Sequence, residues 1–206
     1  MQARARKTKT RILSAASSLF SAAGLNGARI DEIAAAAGVN KQRIYAYFGS
    51  KNKLFEAVLL DVFQRVELFS QKTLAKAERQ PDRITDIVIN GFLQVHASHP
   101  DLWRLLAWAN LEGPQWTNAL NQARKKENEQ LRRLYDKAVA DGLLRNVKFE
   151  IWLFTLLAVT YFRYSNGLTL SHTLDYSCTD RNFEKQLSQE LDFLFRTDQG
   201  KNDTVG

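Results

Sequence analysis

The feature that most restricts the fold is the stretch IDEIAAAAGVNKQRIYAYF, residues 30–48. An alanine-rich apolar run is cut by Gly38 and followed, two residues on, by Asn40 and a second short amphipathic run. Gly38, lacking a Cβ, takes the left-handed conformation at little cost and ends the first helix. Asn40 offers a side-chain oxygen to the free amides that open the next one. Asp31 and Glu32 stand in the first turn of the preceding helix, where its dipole favours acids. On the second helix Ile44 and Phe48, four apart, point inward with Tyr45 beside them, which leaves Lys41, Gln42, Arg43, Ala46 and Tyr47 outside. Two short helices joined through one glycine, the second capped and polar on its outer side, make a helix-turn-helix, whose second helix fits a DNA major groove.

Charge points the same way. The chain of 206 residues has a net charge of +7, yet residues 1–53 hold ten Lys/Arg against two Asp/Glu, net +8, and the remaining 153 hold 19 against 20, net −1. A polyanion-binding region is thereby confined to the first quarter of the chain. Within it, Arg43 suits guanine O6/N7 and Gln42 suits adenine N6/N7, while Lys41 serves either base or phosphate. Lys51 and Lys53 follow the cap residue Ser50 and sit in the first turn of the next helix, where cations oppose the dipole. A bound phosphate reverses that penalty. The stretch Arg4 to Lys9 reads as a disordered basic tail that adds nonspecific phosphate attraction.

Helical periodicity continues along the rest of the chain. Ile12, Leu13, Ala16, Leu19, Phe20 and Ala23 mark a first helix stopped by Gly24 and Asn26-Gly27, and Phe55, Val58, Val62, Val66 and Phe69 mark a long one to about Ala77. Punctuation at Pro81-Asp82, His99-Pro100-Asp101, Gly113-Pro114, Asp141-Gly142 and Asn166-Gly167 divides the remainder into five more helices. The expectation is an all-α chain of about nine helices. The apolar stretch Ile151 to Phe162 is 12 residues long, against roughly 18 for a membrane span. With no secretory signal and one cysteine, Cys178, a cytoplasmic protein is expected. His96 and His99 lie in HASH and the remaining histidine is His172, with no HExxH, GxSxG, CxxC or phosphate loop. No enzyme, metal or cofactor is expected.

Four ordered pieces carry a resemblance: SAAG (Ser21 to Gly24), IAAAAGVNK (Ile33 to Lys41), IYAYF (Ile44 to Phe48) and SKNKLFEAV (Ser50 to Val58). Together they resemble the DNA-binding domain of the tetracycline-repressor-like (TetR) family of bacterial regulators. The resemblance implies a three-helix helix-turn-helix domain over residues 1–50, a helical effector-binding and dimerisation domain over 51–196, and a polar tail over 197–206. It places Tyr45, Tyr47 and Lys51 on the DNA backbone and Lys41, Gln42 and Arg43 at the bases. Ala28 and Arg29 stand where the family usually has Thr/Ser, so the usual hydroxyl cap and phosphate contact at the second helix are missing, and Arg29 is expected to reach the phosphate instead. A homodimer is implied, formed through about 149–165 and 181–195, that binds a palindromic operator on double-stranded DNA and responds to a small, partly apolar effector. Phe92, His96, Trp103, Arg104, Trp108, Trp116, Phe154 and Tyr161, with Arg163 as a further polar group, are the candidates for lining its pocket. Two alternatives stand beside this reading: a helical small-molecule-binding protein or enzyme whose basic N-terminus reads no sequence, and a DNA binder without sequence preference.

Overall fold

The computed structural model describes residues 2–116, 118–178 and 180–197, and among them the chain forms nine α-helices, two short 3-10 turns and no strand. The helices are α1 (Gln2–Gly27), α2 (Ile30–Ala37), α3 (Lys41–Phe48), α4 (Lys51–Arg79), α5 (Ile84–Ser98), α6 (Pro100–Glu112), α7 (Asn118–Ala140), α8 (Phe149–Leu174) and α9 (Arg181–Phe195). Residues 198–206 of the expected polar tail lie outside the described residues, as does the side chain of Phe69. Among the described residues no helix is long and apolar enough to cross a membrane.

The chain divides into two compact units, the first comprising residues 1–66 and 99–123 and the second 67–98 and 124–206. In the first, the apolar periodicity of α1 buries Ile12, Ala16 and Phe20, and α1 packs on α2 and α6. Phe20 meets Phe55 of α4 edge-on at 5.1 Å between ring centroids, and Phe55 meets Trp116 in the same manner at 5.2 Å. Each such buried ring contributes roughly 1.5–3 kcal/mol. Gly24 breaks the regularity of α1 with φ 71°, and the Trp108 ring of α6 occupies the space where a Cβ would stand. The carboxylate of Asp101, at the start of α6, accepts hydrogen bonds from Ser17 Oγ (2.9 Å) and Arg65 Nη2 (2.7 Å), joining α1, α4 and α6. Burial opposes its ionisation, but these donors outweigh that and hold the carboxyl below its ordinary range.

The second unit is built around Ile84, Ile87, Val88, Ile89 and Leu93 of α5, Leu131 and Tyr135 of α7, and Phe149, Trp152 and Leu156 of α8. Two polar atoms that enter this core have partners: Trp152 Nε1 donates to Thr85 Oγ1 at 3.2 Å, and Tyr135 OH to the Val147 carbonyl at 2.7 Å. The C-terminal end of α9 is tied to the α7–α8 connection by Arg145 N to Phe195 O (2.8 Å) and Thr197 N to Leu143 O (3.1 Å).

Two helices run further than sequence punctuation predicts. Arg4 to Lys9 is helical, not a loose tail: no Gly or Pro interrupts residues 2–23, and the Thr8 and Thr10 hydroxyls bond back to the carbonyls of Arg4 and Arg6. Helix α8 passes through Asn166-Gly167 and ends only at Asp175, in the left-handed region at φ 49°. Glycine inside a helix costs about 1 kcal/mol, but Gly167 is buried, and Ser171 and Thr169 donate to the Gly167 and Asn166 carbonyls.

Candidate DNA interface

The turn between α2 and α3 has the geometry its residues dictate. Gly38 is left-handed (φ 61°, ψ 43°); its amide donates to Ala35 O and that of Val39 to Ala34 O, at 3.1 and 3.0 Å, closing α2. Arg11 reaches across from α1 and donates to the Ala37 and Gly38 carbonyls at 2.7 and 3.1 Å, placing a cation at the negative end of α2. Asn40 opens α3 with its Oδ1 accepting from Arg43 N at 2.9 Å, and Ser50 opens α4 with its Oγ accepting from Lys53 N at 3.1 Å. Ile44 and Phe48 are buried, anchoring α3 on the core.

Anchoring those two positions turns the rest of α3 outward. Lys41, Gln42, Arg43, Ala46 and Tyr47 are exposed as expected; Tyr45, expected beside the inward pair, is also exposed, at 44%. Its position one step beyond Ile44 rotates it about 100° off the buried stripe. Lys41 Nζ lies 3.4 Å from Asp31 in a solvent-exposed ion pair, worth at most about 1 kcal/mol and readily exchanged for a phosphate. Lys51, half-buried, directs Nζ toward the Asn26 carbonyl at 3.4 Å, and Lys53 is exposed beside it on α4. Arg29 precedes α2 with no side-chain cap bond and is exposed. All eight expected DNA-contacting residues thus lie in the α2–α4 portion of the first unit, seven of them exposed.

The expected effector residues are divided between the units. Trp103, Arg104, Trp108 and Trp116 belong to the first, where Trp108 covers Gly24 and donates to Ser21 O (3.4 Å), Trp116 packs on Phe55, and Arg104 lies over the Trp103 ring at 5.1 Å. Trp108 and Trp116 thus pack within that unit, whereas Trp103 is half-buried and Arg104 exposed. Phe154 is 68% exposed on α8 and reaches no core. Arg163 is buried in an ion pair with Glu184 (2.8 Å) and donates to the Cys178 carbonyl, fastening α8 to the start of α9.

Phe92, His96 and Tyr161 belong to the second unit, where His96 meets Tyr161 and Phe92 stands one turn earlier on α5. His96 is 6% exposed, its ring 6.1 Å from that of Tyr161 and 5.5 Å from that of Tyr164, and its Nδ1 is buried without a hydrogen-bond partner. Burial, assisted by the charge of Arg124, lowers its pKa from 6.5 to about 4, so the ring is neutral at physiological pH. Next to it on α5, Phe92 and Gly91 line a cavity of about 70 Å³ with Thr73, Val88, Glu127 and Leu131. Burial pushes the Glu127 carboxyl upward. Sequence alone gives no sign of Glu127, which stands in the charged run KKENEQ and reads there as part of a solvated face.

The comparisons agree with this geometry over both units. Residues 12–58 match the family model for bacterial regulatory proteins of the tetR family, and residues 82–191 match that for the tetracyclin repressor-like C-terminal domain. The chain is 40% identical over 142 residues to the HTH-type transcriptional repressor SCO4008 of Streptomyces coelicolor, covering 68% of this chain and 67% of that protein. It is 30% identical over 182 residues to the HTH-type transcriptional repressor NicS of Pseudomonas putida, covering 85% and 84%. The fold is shared with the putative transcriptional regulator SCO4942 of Streptomyces coelicolor, at TM-score 0.70 and 24% identity over 91% of this chain and 98% of that one. HlyIIR, a hemolysin II transcriptional regulator, has TM-score 0.70 at 18% identity over 94% and 99%. With a capped, outward-facing third helix in the matched N-terminal segment and a helical second unit in the matched C-terminal one, the chain belongs to the TetR family and is a helix-turn-helix DNA-binding transcriptional regulator.

Proposed function

We propose that the protein acts as a homodimeric, effector-responsive repressor in the cytoplasm, binding a palindromic operator and catalysing no reaction. The observation that carries the proposal is the exposed face of α3, held by two buried side chains and a side-chain cap. On it Gln42 and Arg43 read base edges, with Lys41 at either base or phosphate, while Arg29, Tyr45, Tyr47, Lys51 and Lys53 hold the backbone. Dimerisation through α8 and α9 is supported by the apolar side chains exposed there, Ile151, Phe154, Leu157 and Phe162 on α8 and Phe193 and Leu194 on α9. Two recognition helices in such a dimer address half-sites about 34–36 Å apart. The effector enters near Phe92, His96 and Tyr161, where an unpartnered ring nitrogen of His96 offers one orienting hydrogen bond. The neighbouring cavity, lined by Phe92 but not by His96 or Tyr161, is about 70 Å³, smaller than the ~300–1,000 Å³ of ordinary ligand sites, so effector binding selects an opened conformation that joins it to His96. Its unequal affinity for the two conformations couples to operator binding.

Selection of bound duplexes from a random pool tests the proposal, with a palindromic consensus as the expected result. Arg43→Ala then costs about 1–3 kcal/mol on the selected site and flattens preference at one base pair, whereas Lys51→Ala weakens all duplexes alike. A pool that yields no consensus leaves the nonspecific binder as the better account.

A further inference from the structure

The first two turns of α1 form a basic notch with the start of α3. Arg4, Lys7, Thr8 and Arg11 of α1 face Gly38, Asn40 and Arg43 across an open groove, and among the described residues no acid lines it. The α1 side of this groove is fixed in place. Arg11 is bonded to the Ala37 and Gly38 carbonyls, and Lys9 lies over the Phe48 ring at 5.8 Å, so the helix that carries Arg4 and Lys7 is held against the turn and α3. Four exposed cations converging from two helices repel one another unless an anion lies between them. Arg43 belongs to the reading face of α3, so the anion nearest this notch in a protein–DNA complex is the sugar–phosphate strand bordering the groove that α3 enters.

We infer that Arg4 and Lys7 form a second backbone clamp, on phosphates flanking the half-site read by α3. The inference rests on the regulator reading above. The clamp is built of Lys and Arg without a neighbouring Asn or Gln among the lining residues apart from Asn40, whose Oδ1 is committed to the Arg43 amide. It therefore suits phosphate oxygens and not base edges. Arg11 is the positioning residue of the clamp, since its guanidinium is engaged by the end of α2.

The test is the double variant Arg4→Ala/Lys7→Ala of the full chain, measured against the selected operator as a function of salt and by hydroxyl-radical footprinting. Both side chains are exposed, so far-UV circular dichroism and thermal unfolding should match the parent. The expected result is a salt slope shallower by about 2 per subunit, because each phosphate neutralised by a cation adds roughly 0.9 to the slope and the variant neutralises two fewer. Backbone protection should disappear at the flanks, while the ratio of operator to random-duplex affinity stays unchanged. An unaltered slope and footprint overturns the clamp and leaves the regulator reading intact. A fall in the operator-to-random ratio also overturns it, because the two side chains would then be reading bases. Failure of the parent chain to bind any duplex removes both, and this outcome alone touches the reading on which the clamp rests.

Discussion

A methyl group on Gly24 would stand 2.6 Å from the Trp108 ring, and the backbone there has φ 71°. Both facts penalise any side chain, so Gly24→Ala is expected to cost about 2 kcal/mol or more in urea unfolding. Adding Trp108→Leu should return the steric part and leave the conformational part; a neutral single variant would show that the ring does not pack there. His96 is buried and neutral in the fold. Its pKa in the fold is about 4 against 6.5, so between those values the unfolded chain binds a proton that the folded chain refuses. Stability is therefore whole above pH 6.5 and falls as pH drops toward about 4, by about 3 kcal/mol. Glu127 and Asp192, both raised by burial, act oppositely as they take up protons in the fold, so the readout is the difference between the parent and His96→Gln measured across that window. A flat difference rules out a buried neutral ring. These two residues also mark what sequence conveys at this scale. The Asn40 and Ser50 caps and the left-handed Gly38 are legible because each depends on its own few neighbours. The burial of His96, the exposure of Phe154 and the packing of Trp108 on Gly24 are not, since each is decided by helices distant in sequence.

Elements follow the same division. The existence and order of all nine helices can be read from period and punctuation, but not two of their ends. An Asn-Gly pair stops a solvent-exposed helix, whereas in α8 Gly167 is buried, and packing outweighs a local preference of about 1 kcal/mol. The charged start of α1 has the composition of a tail because its stabilising partners, the end of α2 and the Phe48 ring, lie 26 to 39 residues away. The outer side of α8 is apolar. Ile151, Phe154, Leu157 and Phe162 stay exposed on a helix whose other side holds Trp152 and Leu156 fully buried. Contiguous exposed apolar area of this kind marks an interface. Phe154→Lys should leave monomer stability within about 0.5 kcal/mol, as for other exposed positions, yet weaken self-association by roughly 100-fold if the ring is a central anchor. Sedimentation velocity at several concentrations, with circular dichroism to confirm native helicity, reads both quantities. A variant that remains dimeric at the parent's concentration places the interface elsewhere.

Taken whole, the molecule separates its two proposed associations by the physics that would drive each. Charge is concentrated in residues 1–53, at net +8, and the rest is nearly neutral at −1. In the proposed complex operator binding draws on Lys and Arg at phosphates, whereas the exposed faces of α8 and α9 offer apolar side chains. Salt should therefore act on the two steps differently. With three or four phosphates neutralised per subunit by the α2–α4 cations alone, the log–log slope for the dimer is about −5 to −7 before any contribution from Arg4 and Lys7, so raising salt from 50 to 200 mM weakens operator binding by at least roughly three to four orders of magnitude. Over the same range apolar self-association should change by less than about threefold, because screening acts on exposed charges and not on buried apolar area. Fluorescence anisotropy with labelled operator and sedimentation equilibrium without DNA give the two responses on one preparation. Should self-association fall steeply with salt as well, the subunits meet through charged surface and the α8–α9 face is not where they join. A shallow operator slope would instead mean that fewer cations reach the backbone than the exposed set on α2, α3 and α4 provides, and the affinity would have to come from Gln42 and Arg43 at the base edges.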